Sequence, residues 1–360
     1  MENDFHGHVA ELLSKAVHQG ALDTAVTAED RDMLLEALRN WGALDGQDRY
    51  VRSMQTSERR GFDLLPGGGA SPPPVTSEPI RLDDLLQSKL WRTLSGIHSF
   101  DYQPTIFQPV GGMGRIGDAF ASAIGPGVIE FNCRVVRIDQ NDREVVVHHV
   151  DPIHGGPVRQ TRAQWCINTI PAPVLSRLPM QIRDATQAAI DAVAPYSASV
   201  KVGLQFKRRF WEEDELIFGG FSSTDLAIRN IGYPNSDYAT RGKGVLLGAY
   251  CYGPGAYEFA ALTPEARIRR ALSEGAQIHP QYPDEFETGV SVAWHRIPWT
   301  MGCLSAWTDE RRKEHYQALT AIDGRMMFAG EHVSHGIWQE HAILSALDAI
   351  TRLHQRVLAS

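Results

Sequence analysis

The sequence predicts a mixed α/β (α+β) chain with helices at the front and strands in the middle. Three observations carry this. Roughly the first hundred residues keep apolar side chains at helical spacing. After Pro109 the texture changes to short alternating runs bounded by turn residues. Near the C-terminus a short apolar run, a glycine turn and a long amphipathic stretch follow one another.

The elements follow in order. Val9, Leu12, Leu13, Ala16 and Val17 share one face, which predicts a helix over 7–18. Thr27-Ala28-Glu29-Asp30 has the form of a capping box, with Asp for the usual Glu, and starts a helix running to about Trp41. Gly, Pro and Ser dominate 65–78 and predict a loop. Leu82, Leu85, Leu86 and Leu90 place another helix from 77 or 78 to 95, and 115–123 reads as a short one. Strands are expected at 128–131, 133–139, 144–149 and 163–169, the last ending at Pro171. Val200, Val202, Leu204 and Phe206 alternate with other residues, which predicts a half-buried strand over 199–207. Further strands are expected at 216–219, 228–232, 244–251, 288–295 and 325–329, with helices at 264–276 and 339–357.

Composition narrows the function classes. The chain has 360 residues, which as a soft prior suggests about two domains. Its 8 Trp, 10 Tyr and 13 Phe exclude disorder for most of the chain. A formal net charge of −8 argues against a basic nucleic-acid-binding surface. No run of about 18 apolar residues is present, so no membrane-spanning segment is expected. Cys133, Cys166, Cys251 and Cys303 stand far apart without a CxxC pair, so reduced thiols are expected and no zinc ribbon. The first residues, Met1 to His6, lack a basic region and an apolar core, so no export signal is expected and the cytoplasm is the default.

Two segments carry candidate chemistry. Gly112-Met113-Gly114-Arg115-Ile116-Gly117 is a literal GxGxxG, the pattern of a dinucleotide-binding turn. Pro109 interrupts the run before it, and Pro is unwelcome in a central strand. The alternative is a Gly-rich turn capping a short helix. The second segment runs from Gly324 through Phe328-Ala329-Gly330-Glu331-His332 to Trp338-Gln339-Glu340-His341-Ala342-Ile343-Leu344-Ser345-Ala346. A carboxylate at a strand end can accept from a sugar-type hydroxyl, and a helix N-terminus suits a group that gains negative charge. Glu331, His332 and His335 lack metal-ligand spacing, and no metal site is expected.

The C-terminal segment resembles the flavin motif of the FAD-dependent amine oxidases, which include the L-amino-acid and monoamine oxidases, and most of all their bacterial branch. Other stretches resemble the same family in collinear order. Phe107 to Met113 resembles its Pro-x-Gly-Gly-Met loop, and Cys133 to Ile138 its flavin-domain strand. Trp165 to Pro171 resembles its strand ending in Thr-Ile-Pro, Tyr196 to Trp211 its Lys-bearing strand, and Trp294 to Gly302 its Trp-x-x-x-Pro-aromatic stretch. The resemblance implies a partial amine oxidase fold. Its parts would be a helical piece of the substrate domain (1–105), a remainder of the FAD-binding domain (106–195), a substrate domain with an antiparallel sheet (196–295) and a C-terminal FAD-binding segment (296–360).

It also implies roles. Lys201 would hold a water near flavin N5 and assist the reaction with dioxygen. Trp338 and Trp299 would form an aromatic slot for the substrate amine and take part in catalysis. The Tyr233 hydroxyl would bind a substrate carboxylate, with Arg59 and Arg60 as weaker candidates for its cationic partner. Val135, Gly330, Glu331, Ala342, Ile343, Gly111, Gly112 and Met113 would contact FAD, Glu331 through a ribose-type hydroxyl and Ala342 and Ile343 through backbone N–H groups. The chain departs from the family at His341, where a Gly is usual, so the imidazole would crowd the flavin, shift the helix or supply a new donor. It also departs by lacking a Rossmann βαβ unit before residue 112.

The activity implied is oxidation of an amine, foremost an L-amino acid, to an imine and then a keto acid and ammonia, with dioxygen reduced to hydrogen peroxide. Partners would be that amine and dioxygen, with no nucleic acid and no membrane. The alternative is an incomplete or non-catalytic chain completed by self-association or by a chain carrying the Rossmann segment. A third reading, a nicotinamide dehydrogenase built on Gly112 to Gly117, ranks last.

Overall fold

Thr27 makes the capping box its sequence predicts: its hydroxyl accepts from the Asp30 N–H, and the Asp30 carboxylate accepts from the Thr27 N–H. The computed structural model describes residues 1–21, 27–69, 71–98 and 107–359, which fall into two units, 1–107 and 108–360. The expected boundary at 105/106 lies outside the described residues.

In the first unit, α1 (Glu2–His18) and α2 (Ala28–Gly42) bury Ala10, Val17, Leu35 and Leu38 together with Leu44 and Tyr50. The short α3 (Met54–Arg60) carries Arg60, which donates to the Asp4 carboxylate at 3.2 Å and to the Tyr50 hydroxyl at 3.0 Å. Strands β1 (Phe62–Leu64) and β2 (Val75–Thr76) form a small antiparallel pair. The single helix expected from 77 or 78 to 95 is instead α4 (Leu82–Ser88) followed by a 3₁₀ helix, Leu90–His98.

The second unit opens with α5 (Gly114–Ile124). The strand expected at 128–131 is not formed: Val128 and Phe131 are exposed, and Gly125 and Gly127 turn the chain with positive φ. Strands β3 (Arg134–Gln140), β4 (Val145–Val150) and β5 (Arg159–Ala163) make an antiparallel sheet. β5 is exposed throughout and polar except for Ala163, so it carries no hydrophobic pattern to predict it. β6 (Cys166–Asn168) leads to α6 (Ala172–Leu175) and α7 (Asp184–Val193), which bury Leu175 and Ile190 against Ile138 and Phe328.

β7 (Ser199–Phe206) is an inner strand of a five-stranded sheet whose neighbours pair antiparallel. After α8 (Phe210–Glu213) come β8 (Gly220–Ser223), β9 (Asn230–Tyr233) and β10 (Gly244–Tyr252). The strand expected at 216–219 is displaced to β8. Helices α9 (Pro254–Ala260), α10 (Pro264–Gly275) and α11 (Tyr282–Glu285) precede β11 (Phe286–Ala293). The sheet order is β11-β7-β10-β9-β8. One face is dry: Val200, Val202, Leu204 and Phe206 pack with Leu246, Ala249 and Cys251 under Phe210, Trp211, Phe259 and Tyr282.

The chain ends with α12 (Asp309–Thr320), β12 (Met326–Phe328) and α13 (Gln339–Leu358). β12 pairs with β6 in parallel. No described helix is long and apolar enough to cross a membrane.

Candidate functional site

Alternation along β7 decides where Lys201 points. Val200 and Val202 are buried, so Lys201 stands on the opposite, open face. Register sets Tyr250 of β10 and Val292 of β11 on either side of it. The Lys201 ammonium lies 4.8 Å from the centroid of the Tyr250 ring, a cation–π contact. Tyr250 is a residue that sequence reasoning missed. Its signal was in reach, because Tyr250 alternates with the buried Ala249 and Cys251.

The turn after β12 is built by Gly330 and Ser345. Gly330 has φ +134, a region that favours glycine. The Ser345 hydroxyl accepts from the Gly330 N–H at 2.8 Å and donates to the Ala342 carbonyl at 2.7 Å. This one side chain ties the strand end to α13, a second role missed in the sequence. The Glu331 carboxylate accepts from the Ser305 hydroxyl at 2.5 Å and from the Ser305 N–H at 3.2 Å. Tyr196 adds a further hydrogen bond. Burial pushes the Glu331 carboxyl above its ordinary range, and the Ser305 donors pull it back in part. A carboxylate has about four acceptor positions, so these bonds leave capacity for a ligand hydroxyl.

His332 and His335 have different surroundings. His332 is buried, its Nε2 has no partner, and burial pushes its pKa down to about 4. His335 Nδ1 accepts from Arg312 at 3.2 Å.

At the start of α13 the expectation for Ala342 and Ile343 is corrected. The Trp338 carbonyl accepts from the His341 N–H at 3.0 Å and from the Ala342 N–H at 3.3 Å. The Ala342 amide is thus engaged, and Ile343 follows within the helical ladder. The amides that precede the first intrahelical bond are those of Gln339 and Glu340. His341, the third residue of α13, turns its ring towards Gly336 and the Trp338 N–H. Its ring lies over Gly336, where a Cβ would come within 2.2 Å of it, and its Nδ1 accepts from the Trp338 N–H at 3.4 Å. Glycine at 336 is what accommodates the imidazole. Trp338 and Trp299 are 40 % and 51 % exposed.

Tyr233 is the clearest correction. It is 6 % exposed, on the dry side of the sheet. Its neighbour Gly232 is in register with Leu247, and Leu247 with Gly203, a residue on Lys201's side of β7. Tyr233 therefore faces away from Lys201. Its hydroxyl lies 2.5 Å from His279 Nε2 and 2.9 Å from Ser222 Oγ, and His279 Nδ1 lies 2.9 Å from Glu215. No position remains beside Lys201 for it to hold a carboxylate. Arg59 and Arg60 are engaged within the first unit, Arg59 with the Trp41 and Asn40 carbonyls and Arg60 with Asp4.

Gly111 and Gly112 turn with φ +85 and +92, and Met113 is exposed at the head of α5. Among the described residues 107–111 no strand leads directly into this turn, whereas a dinucleotide turn follows a strand. Val135 is half-buried in β3, with its side chain against the core that holds Ile138 and Phe328.

The residues present suit the ring end of a flavin: an open lysine, two exposed indoles, a glycine turn with a carboxylate, and free amides at a helix start. Comparison with known proteins agrees. The model of the flavin-containing amine oxidoreductases matches residues 9–353. An L-amino acid oxidase of Crotalus durissus cumanensis is 31 % identical over 301 residues, covering 79 % of this chain and 58 % of that protein. An L-amino-acid oxidase of Crotalus adamanteus is 30 % identical over 353 residues, covering 93 % and 65 %. The chain thus spans about 58 % of the first of these curated relatives. In fold it is similar to a putrescine oxidase, with TM-score 0.58 and 18 % identity over 69 % of this chain and 53 % of that one. It is also similar to the cyclohexylamine oxidase of Brevibacterium oxydans, with TM-score 0.56 and 18 % identity over 68 % and 53 %. A match running through nearly all of 9–353, over a mixed fold with this arrangement at its sheet and C-terminal turn, makes the chain a member of the flavin-containing amine oxidoreductase family.

Proposed function

We propose that the chain carries the substrate side and the C-terminal flavin side of an oxidase that converts L-amino acids to imines, with dioxygen as the final acceptor. The observation that carries this reading is Lys201, a cation held on the open face of the β-sheet by Tyr250. FAD, when bound, would accept hydride from the amine-bearing carbon and pass two electrons to dioxygen.

The residues of this chain supply the surroundings. Lys201 places positive charge where negative charge develops on dioxygen. The amides of Gln339 and Glu340, with the dipole of α13, suit electron density gathering at the flavin edge. Glu331, whose orientation Ser305 fixes, would accept from a ribityl-type hydroxyl of bound FAD. Trp338 and Trp299 offer π faces that orient a neutral amine and exclude water. The imine is then hydrolysed by water to a keto acid and ammonia, with no side-chain nucleophile. The L-amino-acid class rests on the relatives named above, since Tyr233 no longer supports it.

A second reading is favoured by the β6–β12 pair. Parallel strands are ordinarily part of larger sheets covered on both faces, and here two short ones stand as a separate pair. Helix α13 exposes Ile343, Leu344, Leu347 and Ile350. In that reading further polypeptide adds strands and the pyrophosphate-binding turn, and the chain alone does not retain FAD.

One experiment addresses both. The purified chain is incubated with FAD, desalted, and its visible spectrum recorded before and after an L-amino acid is added under anaerobic conditions. Retained flavin bleached by the amino acid supports the first reading. A colourless protein supports the second. Retained flavin that no amino acid reduces removes the proposed substrate class.

A further inference from the structure

The β3–β4 hairpin gathers three side chains that the site above does not use. Glu130 and Cys133 lie in the segment leading into β3, and His149 stands on β4 opposite Val135. One carboxylate oxygen of Glu130, the sulfur of Cys133 and a ring nitrogen of His149 all lie within 4.8 Å of one another. His149 is 5 % exposed. Its Nε2 is 3.0 Å from the Thr161 hydroxyl, while its Nδ1 is buried with no hydrogen-bond partner.

A buried imidazole nitrogen without a partner is a loss that folding does not ordinarily tolerate. The arrangement matches a metal-ligating histidine, in which one nitrogen donates to a fixed oxygen and the other keeps its lone pair for the ion. The hydrogen bond to Thr161 suits the tautomer with the proton on Nε2. The spot already attracts positive charge. Arg159, paired with His149 across β4 and β5, lies 3.2 Å from Glu130 and 3.6 Å from the Cys133 sulfur.

We propose that Glu130, Cys133 and His149 bind a divalent ion of the zinc class, through Oε, Sγ and Nδ1, with water in the fourth position. Thiolate with imidazole selects zinc-like ions over magnesium or calcium, and three protein ligands with an open fourth position are compatible with tetrahedral zinc. On binding, the Cys133 thiol, which now donates to the Phe131 carbonyl at 3.4 Å, releases its proton to solvent as the metal–sulfur bond forms. Arg159 swings out to water. The ion would clip the exposed 125–133 segment to the hairpin. The proposal revises the expectation of no metal site. Cys133 and His149 are sixteen positions apart, and only the strand register brings them together.

The test is a titration of the chelator-treated full chain with Co2+, followed by absorbance and by proton release in weak buffer. One equivalent is expected to bind with a sulfur-to-cobalt charge-transfer band and release of one proton. Cys133→Ser should abolish the band. Thr161→Val, which keeps all three ligands, should weaken binding about 10–100-fold. Arg159→Ala should tighten it. Cys303→Ser, which removes the exposed thiol, should change nothing. Absence of a charge-transfer band in the wild type, or a band lost in Cys303→Ser and kept in Cys133→Ser, overturns the proposal. Because the wild type and Thr161→Val carry the decisive readings, a Cys133→Ser chain that fails to fold does not blunt the test.

Discussion

The two faces of the β11-β7-β10-β9-β8 sheet are written by the same strands and do opposite work. On one face Val200, Val202, Leu204 and Phe206 meet Trp211, Phe259 and Tyr282 in a dry core. On the other, one residue out of step, Lys201 stands over Tyr250, and Val290 is exposed. Burial of aromatic side chains gives the dry face its stability. The open face holds a charge that burial would penalise. A residue's position in the alternation therefore decides whether it packs into the core or stands on the open face, and Tyr233 and Lys201 fall on different sides.

The largest expected effect is on the dry face. Phe206 is fully buried and touches the rings of Phe210, Trp211 and Tyr282. Phe206→Ala should cost about 3–5 kcal/mol, read from the urea midpoint at constant m-value. A loss under about 1 kcal/mol would show that this face does not carry the core.

A titratable group in a dry place gives the next test. His332 has a folded pKa of about 4 against an ordinary value of 6.5. A depressed histidine contributes stability that is present above pH 6.5 and is lost as pH falls towards 4. At 1.36 kcal/mol per pKa unit that is about 3 kcal/mol. Glu331, shifted upward by burial, acts in the opposite sense as pH rises above the ordinary carboxylate range. His332→Asn should flatten the acid side of the stability profile, and an unchanged slope would mean that His332 is not the group responsible.

Tyr233 sharpens the comparison. If its hydroxyl serves the buried His279, then Tyr233→Phe should cost roughly 1–3 kcal/mol by leaving a ring nitrogen unpaired. In flavin-loaded enzyme KM for the amine should stay within about twofold, well under the tenfold that 1.4 kcal/mol of lost binding would bring. A tenfold rise in KM with unchanged stability would return Tyr233 to the substrate.

Much of this contrast was legible in the sequence. The alternation at β7 and the capping box at Thr27 are local signals, and both structures formed as written. What escaped depends on residues far apart. β5 is polar except for Ala163, and α12 carries almost no apolar stripe, so neither shows a period. The apolar run at 128–131 has no neighbouring strand to pair with. Tyr233's direction is set by register and by His279, forty-six residues away. His341 is accommodated by the absence of a Cβ at Gly336, a complementarity that neither residue reveals alone.

The smallest effect on stability is expected at Lys201, where the functional effect should be greatest. The side chain is exposed, and its described contact is the Tyr250 ring. An exposed cation–π contact contributes about 0.5–1 kcal/mol, so Lys201→Met should leave the urea midpoint nearly unchanged. In flavin-loaded protein the same substitution should slow reoxidation of the reduced flavin by dioxygen while anaerobic reduction by the amine persists. Stopped-flow measurement of the two half-reactions separates them. If reoxidation is unaffected, the open face has no electrostatic role at oxygen. If stability falls by several kcal/mol, Lys201 belongs to the fold, and the division between the two faces fails at the residue that defines it.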